Sequence, residues 1–304
     1  MTLAEVGRRG QRVDVINGGD VAPDGRLLSI AEIQAALRTA TPNVTSAWDA
    51  LDVSSLEQTV AHPGEVGVRA GIRIETLQTG WICVVAAHSG AGSTTVAVSL
   101  ADAAGTAGRD VTLIDPAEPA RSGLTGAADT ELGIDRDGVW RRGRRGRVTI
   151  VRRATDRSLS GWPGNIDPAA MVILDLGLPP TSTMSRLTAC PNTLIVVCSP
   201  TIPGMRAAET LLAALHNRRV IVVAVGAGKW PRELSASLGP RIGAVVTSGR
   251  IVRVPRDRRL QRDGVTSAGL PKSLSTVGRR LLRDIDALAG AAELAGCART
   301  GIGG

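Results

Sequence analysis

The sequence predicts an α/β protein: a doubly wound, mostly parallel sheet preceded by a small N-terminal extension. Three observations predict it. From residue 79 onward, short apolar runs alternate with helical stretches. Most of those runs are β-branched and apolar throughout, as strands buried on both faces of a parallel sheet are. The first run passes through a glycine-rich turn directly into a helix, the opening of a strand–crossover–strand unit.

Strands are expected at WICVVAA (81–87), DVTLID (110–115), RVTIVRR (147–153), MVILDLG (171–177), TLIVVCS (193–199), RVIVVAV (219–225), GAVV (243–246) and RIVRVP (250–255). Helices fit between them at 94–107, 204–216, 231–238 and 274–289. The span IDRDGVWRRGRRG (134–146), with five arginines and Trp140, reads as an exposed charged loop. Gly290 offers a stop for the last helix, unless it runs on through AAELA (291–295) to Gly296. Residues 1–78 differ in character. NGGDVAPDG (17–25) is turn-rich. Ser29 with Glu32 forms a capping box that opens a short helix over 30–39, and Ser54 with Glu57 suggests another. The expected division is an N-terminal extension or small docking domain at 1–78, a main domain at 79–290 and a flexible tail at 291–304.

Composition narrows the class. The chain has 304 residues, 43% of them apolar, enough for one sizeable core and a smaller appended part. No run approaches the ~18 uncharged apolar residues of a membrane span. The N-terminus lacks the apolar centre of a signal peptide, so a cytoplasmic location is expected and a membrane partner is not. Cys83, Cys190, Cys198 and Cys297 are scattered, without a CxxC pair, which argues against a disulfide scaffold or zinc site. The net charge is +8, yet residues 1–78 carry seven Arg against ten Asp and Glu, so the basic excess lies in the remainder. Nearly all basic residues are Arg, the exceptions being Lys229 and Lys272. Arginine clusters at 141–157 and 250–262 make non-specific DNA a candidate partner.

The chemistry concentrates in HSGAGSTT (88–95). Gly90 and Gly92 let the backbone bend tightly after a strand, with no side chain in the way. Successive amides then face one concavity, and the following helix adds its N-terminal dipole, so an anion is favoured. His88, Ser89, Gly90, Ala91, Gly92, Ser93, Thr94 and Thr95 are the expected phosphate-cradling residues. Thr94 or Thr95 can offer a hydroxyl to Mg²⁺. Two later strands end in carboxylates, at Asp115 and Asp175. Carboxyl ends of central strands converge on the ligand crevice of an open parallel sheet, which brings both aspartates toward the loop. Asp115 and Asp175 are the catalytic candidates, and Thr94 with Asp175 the Mg²⁺ candidates.

At this point the sequence resembles the MinD/ParA group of P-loop ATPases over about residues 79–290. HSGAGST (88–94) aligns with the group's KGGxGKT loop. LIDPAEP (113–119) and ILDLGLPP (173–180) match its Asp-ending strands. NTLIVVCSPTIPGMRAAETLLAAL (192–215) and GRIVRVPRDRRLQRDGVTSAGLPKSL (249–274) are similar to its later segments. The resemblance implies a P-loop NTPase-like fold, ATP or ADP with Mg²⁺ as cofactor, and a possible homodimer. It also implies a degenerate site. The group's loop lysine is Ser93 here, and its signature lysine, which reaches the partner subunit's nucleotide, is His88. VVAVGAG (222–228), where a base-contacting Asn usually sits, has no Asn. Losing a charge-assisted hydrogen bond of roughly 1.5–3 kcal/mol weakens binding about 10- to 150-fold. Phosphoryl transfer suffers more, since it depends on charge at the transferring group. Weak nucleotide binding and weak or absent ATPase activity are therefore expected, with Arg109 and Arg121 as conceivable replacement cations.

Two functions follow. The first is a positioning or assembly factor acting as a scaffold, with a protein partner held through residues 1–78. The pilus-localising TadZ/CpaE proteins and conjugation factors of actinobacterial plasmids are similar in layout. The alternative is an active ATPase in DNA partition. The apolar stripe Leu274, Val277, Leu281, Leu282, Ile285 and Leu288 reads as core packing rather than a membrane contact.

Overall fold

A computed structural model describes residues 80–157, 161–179, 187, 193–215, 219–226, 230 and 232–290, and the helical backbone of 291–300. The expectations for residues 1–78 lie outside these.

Nine strands form one sheet: β1 (Ile82–Ala86), β2 (Val111–Asp115), β3 (Thr130–Ile134), β4 (Trp140–Arg145), β5 (Val148–Arg153), β6 (Met171–Gly177), β7 (Thr193–Cys198), β8 (Val220–Val225) and β9 (Ile251–Val254). Their spatial order is β3-β4-β5-β2-β6-β1-β7-β8-β9. From β5 to β9 every neighbour is parallel. β3–β4 and β4–β5 are antiparallel. The fold is therefore α/β, with a doubly wound, mostly parallel sheet.

The apolar runs become central strands because alternate residues feed two separate cores. Ile82, Val84 and Ala86 of β1 join one apolar cluster. Trp81, Cys83 and Val85 join the other. Helix α1 (Ser93–Thr106) and helix α6 (Lys272–Thr300) cover the first face, and α2 (Ile202–Ala214) and α4 (Pro240–Thr247) the second. Leu274, Val277, Leu281, Leu282 and Ile285 lie in the first core, with Leu288 packed against it, so this stripe is an interior seam. Among the described residues no helix is long and apolar enough to cross a membrane.

Three expectations are corrected. GAVV (243–246) is not a strand but lies in α4. Its buried residues Ile242 and Val245 are three apart, a helical spacing. Pro240 occupies the first turn, and the Glu209 carboxylate of α2 accepts from the Arg241 and Ile242 amides, both at 2.9 Å. The cap comes from another element, which local sequence cannot reveal.

The 134–146 loop is also corrected: most of it is strand. β4 pairs with β5 across the two-residue turn Gly146–Arg147, with Gly146 at φ +54°. That φ suits glycine and a tight hairpin. The β3–β4 turn is held by Asp135 Oδ1, which accepts from the Val139 and Trp140 amides. Finally, α6 does not stop at Gly290 or Gly296 but continues to Thr300.

Between α4 and α6 lies α5 (Arg258–Asp263), capped by Asp257, whose carboxylate accepts from the Leu260 amide at 3.0 Å. A short helix α3 (Arg232–Ala236) precedes α4.

Candidate functional site

β1 sits mid-sheet between β6 and β7. The chain winds outward on one side through β2 and on the other through β7, β8 and β9, so a crevice opens at the carboxyl end of β1. The loop from Ala87 to Gly92 occupies it. Gly90 and Gly92 take φ +72° and +95°, in the left-handed region that glycine enters without strain. No side chain caps α1, and its first turn holds no acidic residue. Its first-turn amides and its dipole are thus directed at the loop.

The two aspartates flank this loop from neighbouring strands. Asp115 ends β2 and is 2% exposed, and Asp175 in β6 is 3% exposed. The Thr94 hydroxyl donates to Asp175 Oδ2 at 2.6 Å, and the Gly177 amide to Oδ1 at 3.2 Å. Asp115 accepts from the Ala117 amide at 2.9 Å and from the Ser122 hydroxyl at 2.7 Å. The Ser122–Gly123 segment presses on Thr94: a Cβ on Gly123 would meet Thr94 Oγ1 at 2.9 Å. Thr94, Asp115 and Asp175 thus form one packed unit behind the loop.

Burial raises both carboxyls above their ordinary range. For Asp115, burial comes first and the nearby Asp175 charge second, pushing it up to about 7 against the opposing hydrogen bonds of Ser122 and Ala117. For Asp175 burial dominates, and hydrogen bonds from Thr94, Gly177 and Ser93 oppose it.

Ser93 is 7% exposed, and its hydroxyl supports the Asp175 carboxylate. The His88 ring is held at both nitrogens. Nε2 accepts from the Ser199 amide at 3.0 Å, so the proton sits on Nδ1, which faces the Ser89 carbonyl at 2.9 Å. In this arrangement His88 is a structural link between the ends of β1 and β7. Ala91 is buried and donates its amide to the His88 carbonyl at 3.3 Å, closing the turn.

A cavity of about 200 Å³ opens on the other side of the loop. Gly90, Gly92 and Thr95 line it together with Arg256, Asp257 and Gln261. Sequence reasoning counted Arg256 toward a DNA patch and missed its place here. The signal available was VPRD (254–257), immediately after the last parallel strand, where an open sheet presents its ligand crevice.

No protein-family model matches the chain, and no curated protein matches it. Solved structures do. Similar chains include the cell-division ATPase MinD of Pyrococcus furiosus, at 18% identity and a TM-score of 0.48, covering 69% of this chain and 100% of that one. MinD of Pyrococcus horikoshii complexed with Mg-ADP matches at 17% and 0.47, covering 70% and 98%. A plasmid partition protein of Borrelia burgdorferi bound to AMPPNP matches at 10% and 0.47, covering 70% and 100%. The likeness is one of fold.

The replacement cations named from sequence fare unequally. Arg109 is held bidentately by Asp286 of α6, at 2.7 and 3.0 Å. It lies two residues before β2, at the sheet end opposite the loop. Arg121, in the short 3-10 turn Pro119–Arg121, is exposed on the Asp115 side. The arginines of 141–157 are largely committed within the fold. Arg145 bonds the Asp102 carboxylate and the carbonyls of Ala127, Thr266 and Ala268. Arg153 is buried against the Thr155 and Arg157 carbonyls. Arg152 pairs with Glu131, Arg147 with Asp110, and Arg142 donates to the Gly164 carbonyl.

Proposed function

We propose that this chain is a MinD/ParA-like nucleotide-binding factor with a degraded ATPase site, which holds ATP or ADP weakly and turns ATP over slowly, if at all. The observation that carries the reading is the loop itself. Its left-handed glycines and uncapped helix make a phosphate cradle, while Ser93 and His88 are engaged with Asp175 and Ser199 rather than supplying positive charge. The residues present fit a nucleotide with Mg²⁺: amides for phosphate oxygens, and the Thr94 hydroxyl and Asp175 carboxylate as oxygen ligands of a hard cation. Such a cation would supply positive charge at the loop itself, where Ser93 and His88 supply none. The chain's own part is to orient phosphates with the Gly90–Thr95 amides and to hold Asp175 in place through Thr94 and Gly177. Asp115, fixed by Ser122 and Ala117, is the group available to orient a water.

A protein with a retained cradle and little turnover suits a positioning or assembly scaffold in plasmid transfer, partition or pilus localisation. In this reading it is cytoplasmic, forms a homodimer and engages a protein partner through residues 1–78. DNA remains an alternative partner, through Arg258 and Arg259, which lie exposed on α5. Titration calorimetry with ATP and ADP in Mg²⁺, paired with a phosphate-release assay, tests the proposal. Weak, Mg²⁺-dependent binding with slow release is expected. Turnover at rates ordinary for an ATPase of this kind would overturn it.

A further inference from the structure

The cavity beside the glycine loop joins a phosphate cradle without a lysine to a wall that carries an arginine. We propose that Arg256 is the cation that anchors the anionic ligand of this loop, a nucleoside di- or triphosphate. The inference rests on the nucleotide-binding reading above and adds the residue that makes it electrostatically workable.

The geometry runs in a short chain of contacts. A Cβ on Gly92 would meet Val225 Cγ1 at 3.5 Å, so the loop leans on the end of β8. The next residue, Gly226, has φ +142°, and a Cβ there would lie 3.7 Å from Arg256 Nη2 and 3.2 Å from Pro200 Cδ. The guanidinium therefore rests over the β8 terminus that supports the loop, and Arg256 shares the cavity lining with Gly90, Gly92 and Thr95.

Its charge is uncommitted. Among the described residues no hydrogen-bond or ion-pair partner holds Arg256. Its neighbour Asp257 spends its carboxylate on the Leu260 amide. The other arginines nearby are engaged or turned elsewhere. Arg250 donates to Ser248 at 2.9 Å, Arg253 stacks 4.9 Å above the Trp230 ring, and Arg262 pairs with Asp263 at 2.7 Å. Arg258 and Arg259 begin α5 outside the described cavity lining. An exposed arginine is usually only solvated. This one lines the same cavity as a glycine loop that carries no Lys or Arg of its own, and a guanidinium fork suits phosphate oxygens. Its fixed charge adds to that of the α1 amides in the same cavity.

The test is calorimetry on the full chain with ADP and with ATP in Mg²⁺, comparing the unmodified protein with Arg256→Ala, Arg256→Lys and Arg259→Ala. Arg256→Ala is expected to weaken binding at least about tenfold, the loss of one charge-assisted contact. Arg256→Lys should recover part of it, and Arg259→Ala should stay within about twofold. If the unmodified chain binds and Arg256→Ala binds equally well, or if Arg259→Ala falls as far, the assignment is wrong while the nucleotide reading stands. If the unmodified chain binds neither nucleotide at millimolar concentration, the nucleotide reading fails and takes this assignment with it. Arg256 is exposed, so melting curves without ligand should coincide for all four proteins.

Discussion

Ser93 and Asp115 carry the argument at the scale of single residues. Ser93 is nearly buried and its hydroxyl supports Asp175, in a site whose acids are raised by burial. A lysine there would put a cation on the loop itself, beside the Asp175 carboxylate, in addition to Arg256 on the cavity lining. Ser93→Lys is therefore expected to raise ATP affinity about tenfold or more in calorimetry. Unchanged affinity would mean that Arg256 alone already supplies all the charge the ligand needs. Asp115 yields a pH prediction. Its carboxyl is raised from 3.8 to about 7 on folding, so between those values the folded chain holds more protons than the unfolded one. Stability contributed by this group falls as pH rises through that window. Thermal melts of Asp115→Asn against the unmodified chain should show the variant gaining stability at pH 8, with the gap narrowing at pH 5. A gap that widens toward low pH would contradict the assignment.

The elements meet most closely where α1 crosses α6. α1 offers Ser99 and Ala103 to α6, and the Ser99 hydroxyl donates to the Leu274 carbonyl at 2.6 Å. Gly278 sits in this contact: a Cβ there would stand 3.0 Å from Ala103 Cβ and closer still to the Ser99 carbonyl. Helix propensity alone favours alanine over glycine by about 1 kcal/mol. Overpacking costs about 1–3 kcal/mol and wins here, because the obstructing atom is backbone. Gly278→Ala should therefore destabilise the chain in urea unfolding, and a stabilised variant would show that the two helices are free to separate. This packing bears on the proposed function, since α1 begins at the glycine loop.

Across the whole domain, Arg145 shows how basic charge can be structural. One guanidinium ties α1 through Asp102, the β2–β3 connection through Ala127, and the segment before α6 through Thr266 and Ala268. Arg145→Ala leaves Asp102 and three carbonyls short of a partner, and breaking a buried pair costs about 3–5 kcal/mol. Denaturant unfolding should show a loss of that order. Arg144→Ala, on the exposed side of the same strand, should change stability by less than about 0.5 kcal/mol. If both substitutions instead leave stability alone and reduce DNA retention equally in gel shifts, the cluster is a nucleic-acid surface after all. Should DNA bind, its affinity is expected to fall steeply between two salt concentrations, as phosphate contacts require.

Much of this was legible along the chain, for physical reasons. Strands buried on both faces leave uninterrupted β-branched runs, so β1, β2, β5, β6, β7, β8 and β9 could be read from their apolar residues. The glycine turn between β1 and α1 and the strand-end carboxylates Asp115 and Asp175 behind it could be placed in the same way. What failed was whatever depends on a distant partner. Residues 134–146 looked like loop because Arg145 is polar, yet it is buried once Asp102 and three carbonyls satisfy it. GAVV looked like strand because the cap of its helix is Glu209, more than thirty residues earlier. The place of Arg256 beside the cradle arises only when β8 and β9 set their ends side by side. Local pattern reports what a residue prefers; long-range contacts determine which polar groups are satisfied and which charges meet in one cavity.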